Sequence, residues 1–185
     1  MEIRRQLAKL DVQLVLGSAL KENPPTAAGE SGTFHVTSAS DVDITADIWF
    51  RCFGVVPNTR FLAGALADVR GQNGQVAVTD TLQVKGQDTV FALGDITDVA
   101  ESKRAGAAMR HADVVAGNIK ALIAGEGELS TYQPGPPAIL LPLGPGGGAS
   151  QLPGRGVLGA DVTAQHKGAD LMTGRFGALF GLRTA

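Results

Sequence analysis

The chain has almost no cysteine, and that scarcity closes several routes. Its single thiol, Cys52, excludes an internal disulfide, a CxxC redox pair and any multi-cysteine metal site. A basic excess is also missing. Lys and Arg number 16 against 18 Asp and Glu, a formal charge of −2. Nothing in that balance attracts a phosphate backbone, so nucleic acid is not an expected partner. No apolar run reaches the ~18 residues of a membrane-spanning helix. The opening Met1-Glu-Ile-Arg-Arg-Gln6 is charged and lacks the apolar region of a secretory leader. The composition suits a soluble, cytoplasmic protein. His35, His111 and His166 are too scattered for a HExxH-type metal pair, so no metal site is expected. Neither a GxSxG nucleophile elbow nor a GxxxxGK[ST] phosphate loop occurs, and no catalytic acid, base or nucleophile stands out.

What is present in excess is glycine, at 25 of 185 residues. Many backbone positions must turn sharply or approach a neighbour closely. Ile3, Leu7 and Leu10 recur at helical spacing and predict a helix over 1–10, ended at Asp11. A buried strand is expected over 12–16. Alternation predicts strands over 33–38 and 44–53, with Phe34 and Val36 on one face. Gly71-Gln-Asn-Gly74 is a turn signal. Short strands should follow at 76–78, 82–84 and 89–93, with 90–93 among the most buried residues.

The clearest helix runs over 102–123. Ala105, Ala108, Met109, Ala112, Val115, Ala116, Ile119, Leu122 and Ile123 form its apolar stripe, which should pack inward. Ser102 is the expected N-cap and Gly125 the expected stop. Gly144-Pro-Gly146-Gly-Gly-Ala149 fits GxGxxA in form. Gln-Leu-Pro153-Gly follows it and cannot continue as a helix, so it reads as a flexible loop. Residues 161–181 read as one amphipathic helix.

Chemistry concentrates at Thr89-Val-Phe-Ala-Leu-Gly94-Asp95. A strand ends in Gly-Asp, a short loop follows, and the long helix begins. Gly94 leaves room for a ligand against the backbone. The Asp95 carboxylate can accept hydrogen bonds from sugar-like hydroxyls. The helix start offers unpaired N–H groups and partial positive charge. An ordinary strand-to-helix turn accounts for the same pattern equally well.

The run Asp80-Thr-Leu-Gln-Val-Lys-Gly-Gln-Asp-Thr-Val-Phe-Ala-Leu-Gly-Asp95 resembles the C-terminal FAD motif of the two-dinucleotide-fold flavoproteins. Ala46-Asp-Ile-Trp-Phe-Arg-Cys-Phe-Gly54-Val-Val-Pro57-Asn58 is similar to the strand leaving their NAD(P) domain. Lys103-Arg-Ala-Gly-Ala-Ala-Met-Arg-His111-Ala112, with Asn118, resembles their flavin-facing helix. The likeness is greatest to the apoptosis-inducing-factor-like, ferroptosis-suppressor and type II NADH dehydrogenase branch. It implies an α/β, Rossmann-like FAD/NAD(P) fold, of which this chain is the C-terminal half. It divides the chain into the end of an NAD(P) domain (1–58), the end of an FAD domain (59–127) and an interface segment (128–185).

By the same resemblance, Gly94, Asp95, Lys103, Arg104, Ala105 and Gly54 are cofactor-binding, with Asp95 on the flavin ribityl chain. Hydride would pass from NAD(P)H to FAD and on to a small quinone-like electron acceptor. His111 is expected to be packed or hydrogen-bonded rather than catalytic. Family members are longer and carry GxGxxG units for FAD and NAD(P), absent here. The chain alone should therefore hold FAD weakly or not at all, and uncovered sheet edges should make it prone to aggregate. A non-catalytic remnant or binding module stays open as the alternative, as do a homodimer and a separate N-terminal half. Leu171, Met172, Phe176, Leu179 and Phe180, beside Lys167, Arg175 and Arg183, should be ordered by packing. Peripheral membrane contact is the lesser option.

Overall fold

A computed structural model describes residues 2–62 and 64–182 of the chain, without the side chain of Ala65. Arg183 of the expected basic flank lies outside the described residues. The chain divides into two compact units. The first comprises 1–54, 140–149 and 159–185; the second comprises 55–139 and 150–158.

The first unit opens with α1 (Glu2–Lys9). Glu2 stands in its first turn and Lys9 in its last, the polarity that suits the helix dipole. Its buried residue is Gln6; Ile3 and Leu7 are half-buried and Leu10 is exposed. The Gln6 amide donates to the Gly148 carbonyl at 2.6 Å and accepts from the Gly148 N–H at 2.6 Å, as a neighbouring strand would.

The strand expected at 12–16 does not form. Val12, Leu14 and Leu16 are exposed, and no described segment pairs with them. Strands β1 (Phe34–Thr37) and β2 (Asp43–Ala46) make an antiparallel hairpin in which Phe34 faces Ala46 and Val36 faces Ile44. Phe34 and Val36 are buried as alternation predicts, while His35 bonds Thr45 Oγ1 at 2.8 Å on the outer side. The second strand stops at Ala46 rather than continuing to Phe53. There the backbone turns to loop partners: Gly32 N–H donates to the Asp47 carbonyl at 2.7 Å and Gly29 N–H to that of Trp49 at 2.8 Å. Phe50 and Phe53 are left in solvent.

The second unit is built on a meander of short extended segments. Isolated bridges join Val78 to Val84, Gln83 to Phe91 and, in parallel, Val76 to Thr97. These segments are too short for regular ladders. The parallel pairing of a nucleotide-binding sheet is reduced, among the described residues, to that one bridge. Val76, Val78, Leu82, Val84, Ala92, Val115 and Tyr132 form the core. Of the 90–93 segment only Ala92 is buried; Val90 and Phe91 are half-buried and Leu93 is 40% exposed. Every second side chain of an extended segment points away from the core.

Helix α2 (Ala105–Ala124) covers this meander. It starts after Arg104, not at Ser102, and no side chain caps it. The residues before it are engaged elsewhere: Lys103 Nζ donates to the Val99 carbonyl at 2.7 Å, and Glu101 is drawn under the helix. Gly125 ends it as predicted, at φ 75°. The buried face is Ala107, His111, Val115 and Asn118. Of the predicted stripe Val115 is buried and Ala108 half-buried, while Ala105, Met109, Ala112, Ala116, Ile119, Leu122 and Ile123 are exposed.

Strands β3 (Ile139–Pro142), β4 (Gly148–Leu152) and β5 (Gly156–Leu158) follow in spatial order β3-β4-β5. The GxGxxA-like run makes the tight turn between the first two rather than a flexible loop. A Cβ on Gly147 would strike the Leu143 carbonyl, and one on Gly148 that of Leu141.

The expected C-terminal helix is divided. Helix α3 (Ala160–Thr163) runs into a wider turn over Ala164–Gly168, and α4 (Thr173–Leu179) follows. Leu171 and Met172 lie at φ 53° and 66°, breaking the helix, and Asp170 accepts the N–H groups of Met172 and Gly174 beyond the break. No residue of α4 is buried.

Candidate functional site

Five of the six predicted binding residues, Gly94, Asp95, Lys103, Arg104 and Ala105, belong to the second unit. Gly54 belongs to the first, at φ 90°. Gly94 opens a single 3-10 turn, Gly94–Ile96. At φ 72° it occupies a conformation that side chains rarely adopt, while a Cβ there would make only ordinary contact with α2, 3.5 Å from that of Ala108. The need for glycine thus comes from the turn.

Both polar backbone groups of Gly94 are fixed. Its N–H donates to His111 Nδ1 at 3.0 Å. Its carbonyl accepts from the buried Thr97, through Oγ1 at 3.0 Å and the N–H at 3.2 Å. On this anchored turn Asp95 is exposed, and its carboxylate has no partner among the described residues.

The turn packs on the beginning of α2. There the Ala107 and Ala108 N–H groups fold back to the Arg104 carbonyl at 3.0 and 3.1 Å, leaving those of Ala105 and Gly106 for an incoming acceptor. No acidic residue lies in this first turn. Lys103 is half-buried and tied to the Val99 carbonyl, while Arg104 is exposed. A turn offering a free carboxylate beside a helix start offering free N–H groups suits a ligand with hydroxyls and an electron-rich edge. Those are the donor and acceptor needs of a flavin's ribityl chain and ring.

A buried polar cluster stands behind the turn. His111 is 1% exposed. Its Nε2 lies 2.7 Å from Glu101 Oε1, and the Tyr132 hydroxyl donates to Glu101 at 2.9 and 3.0 Å. The His111 and Tyr132 rings meet edge to face at 4.3 Å. The Arg110 guanidinium lies 3.3 Å from the Tyr132 hydroxyl and 3.5 Å from Glu101. Burial pushes the Tyr132 phenol above its usual range. Two turns further along α2, Asn118 donates to the carbonyls of Thr81 and Ser130 and accepts the Ser130 N–H. His111 is packed and hydrogen-bonded, as predicted. Glu101 and Tyr132 were not legible in the sequence, because neither belongs to a periodic pattern.

Among the described residues no group of three His, Cys, Asp or Glu could hold a metal ion, and no helix is long and apolar enough to cross a membrane.

An extended apolar segment, a glycine turn with an exposed carboxylate and an uncapped long helix follow one another in an order that fits an α/β FAD/NAD-binding fold. A solved structure agrees at the level of the fold: LpdA from Mycobacterium tuberculosis matches 71% of this chain and 26% of its own, with a TM-score of 0.53 and 20% identity. The sequence profile of the pyridine nucleotide-disulphide oxidoreductases matches residues 1–112, and the chain belongs to that family. Its relatives include FAD-dependent oxidoreductase FVFD30 of Flammulina velutipes, 42% identical over 51% of this chain and 30% of that protein. Ferroptosis suppressor protein 1 of Xenopus laevis is 29% identical over 94% of this chain and 46% of its own length. Apoptosis-inducing factor homolog B of Dictyostelium discoideum is 32% identical over 76% and 37%. The chain spans less than half the length of these relatives.

Proposed function

We propose that this chain forms the flavin-holding side of an FAD-dependent NAD(P)H oxidoreductase that delivers electrons to a small quinone-like acceptor. The observation that carries the reading is the free Asp95 carboxylate, held on a turn fixed at both backbone groups, beside the uncapped start of α2. When bound, FAD supplies the ring that takes hydride from NAD(P)H. The protein's part is binding and electrostatics.

Asp95 accepts a hydrogen bond from a ribityl hydroxyl. The Ala105 and Gly106 N–H groups, at the positive end of α2, favour negative charge developing on the ring edge. Lys103 adds positive charge close to the same end, and Arg104 stands in solvent beside it. In this reading 1–58 closes an NAD(P) domain that includes Gly54, 59–127 closes the FAD domain, and 128–185 is an interface segment.

The absence of GxGxxG from these residues favours a second reading, a binding module that keeps the fold without the cofactor. FAD titration followed by flavin fluorescence separates the two. The oxidoreductase reading predicts saturable binding that is weak for want of a pyrophosphate cradle. Asp95→Ala should weaken it about ten- to a hundredfold by removing a charge-assisted acceptor. Binding that Asp95→Ala leaves unchanged would favour the second reading.

A further inference from the structure

We propose that His111 is a positioning residue for the flavin site: its Nδ1, backed by Glu101 and Tyr132, holds the Gly94 amide and so the turn that presents Asp95. The role in flavin binding rests on the reading of the preceding subsection; the role in the turn does not.

The hydrogen-bond roles in the cluster follow from one atom. A backbone N–H can only donate, so His111 Nδ1, 3.0 Å from the Gly94 nitrogen, carries no proton. The neutral ring then keeps its proton on Nε2, which donates to Glu101 Oε1 at 2.7 Å. Glu101 accepts from the Tyr132 hydroxyl as well, and the Tyr132 ring closes on the His111 ring edge to face at 4.3 Å. Ring orientation and tautomer are therefore both set from behind.

The turn needs such support. Gly94 has no side chain to pack, and its φ of 72° is one of several that glycine reaches without cost. Thr97 fixes the carbonyl side, and His111 is the partner of the N–H side. Glu101, Tyr132 and, on its own helix, Arg110 are the charged and polar groups that face His111.

Two replacements separate positioning from packing, because both lose the ring. In His111→Asn the side-chain oxygen stands where Nδ1 stood and can accept from Gly94, with nothing left for Glu101. In His111→Gln the amide nitrogen reaches toward Glu101, with nothing left for Gly94. Gly94 amide hydrogen exchange, read by NMR, and FAD titration are measured on both variants after circular dichroism has shown the fold intact.

The expected result is Gly94 exchange at least tenfold faster and FAD binding about tenfold weaker in His111→Gln, with both within about threefold of wild type in His111→Asn. Should either variant unfold, Tyr132→Phe keeps the ring contact and removes the hydroxyl's contacts with Glu101 and Arg110. It should speed Gly94 exchange about two- to fivefold; unchanged exchange would overturn the role. Gly94 exchange equal to wild type in His111→Gln, or equal in the two amide variants, overturns the role of His111 whatever the flavin does. A wild type that binds no FAD, with Gly94 exchange in the expected order, overturns the flavin reading and confines His111 to the turn.

Discussion

The two faces of α2 invert the usual expectation. The face turned to the core is half polar, with His111 and Asn118 beside Ala107 and Val115. The face turned to solvent carries Met109, Ile119 and Ile123, the last 82% exposed. Hydrophobic periodicity therefore finds Val115 but places most of its stripe on the side of this helix that meets solvent. The buried polar side chains are stable because each is fully paired: no buried side-chain nitrogen or oxygen among the described residues lacks a partner. The difference teaches that this helix is held by a few directed hydrogen bonds around a small apolar core. Its apolar outer stripe is a surface the second unit does not use.

The comparison is broken most severely at Asn118. Asn118→Ala leaves the Thr81 and Ser130 carbonyls and the Ser130 N–H without their partner. Asn118 is buried, but Thr81 is half-buried and Ser130 exposed, so water replaces part of what is lost and stability should fall by about 2–3 kcal/mol, read as a lower urea midpoint.

A matched pair tests the two faces directly. Val115→Ala, in the core, should cost about 2 kcal/mol for the lost apolar contacts and the space left behind. Ile119→Ala, on the outer face, should stay within about 0.5 kcal/mol of wild type. Equal losses at the two positions would mean that both faces are packed.

The outer stripe has an effect of its own on solution behaviour. Met109→Ser with Ile123→Ser should lower self-association in light scattering while the urea midpoint moves little. An unchanged association state would show that exposure of this stripe does not drive aggregation.

The smallest expected effect contrasts the starts of α1 and α2. Glu2 compensates the α1 dipole, and hydrogen bonds from Arg5 and Gln6 hold its carboxyl at about 2, against 4.5 for the free group. Its folded-state value is depressed, so its contribution is fully present above about pH 4.5 and is lost as pH falls toward 2. Helicity of α1 should weaken over that window, and Glu2→Gln should flatten the change. No acidic side chain occupies the corresponding turn of α2, so no such acid-sensitive contribution is expected there.

The sequence was legible where a local rule decided the outcome. Gly125 closes α2 and Phe34 and Val36 alternate inward because an αL cap and a two-residue period depend only on neighbours. The Gly94–Asp95 turn was visible because a glycine followed by an acid ends an apolar run before a long helix. Legibility failed where distant partners decide. Residues 12–16 have strand composition but no paired neighbour. Ser102 could not be seen to lose its capping role to the ties that Lys103 and Glu101 make. Glu101 and Tyr132 meet His111 only through the fold. Leu171 and Met172 break a helix that composition alone would continue.

The central claim is that the Asp95 turn and the start of α2 together hold the flavin. The most direct measurement follows backbone NMR signals of the protein as FAD is added. Saturable shifts centred on Asp95, Ala105 and Gly106, lost in Asp95→Ala, are the expected result. Saturable shifts located elsewhere, or unchanged by Asp95→Ala, would contradict that claim.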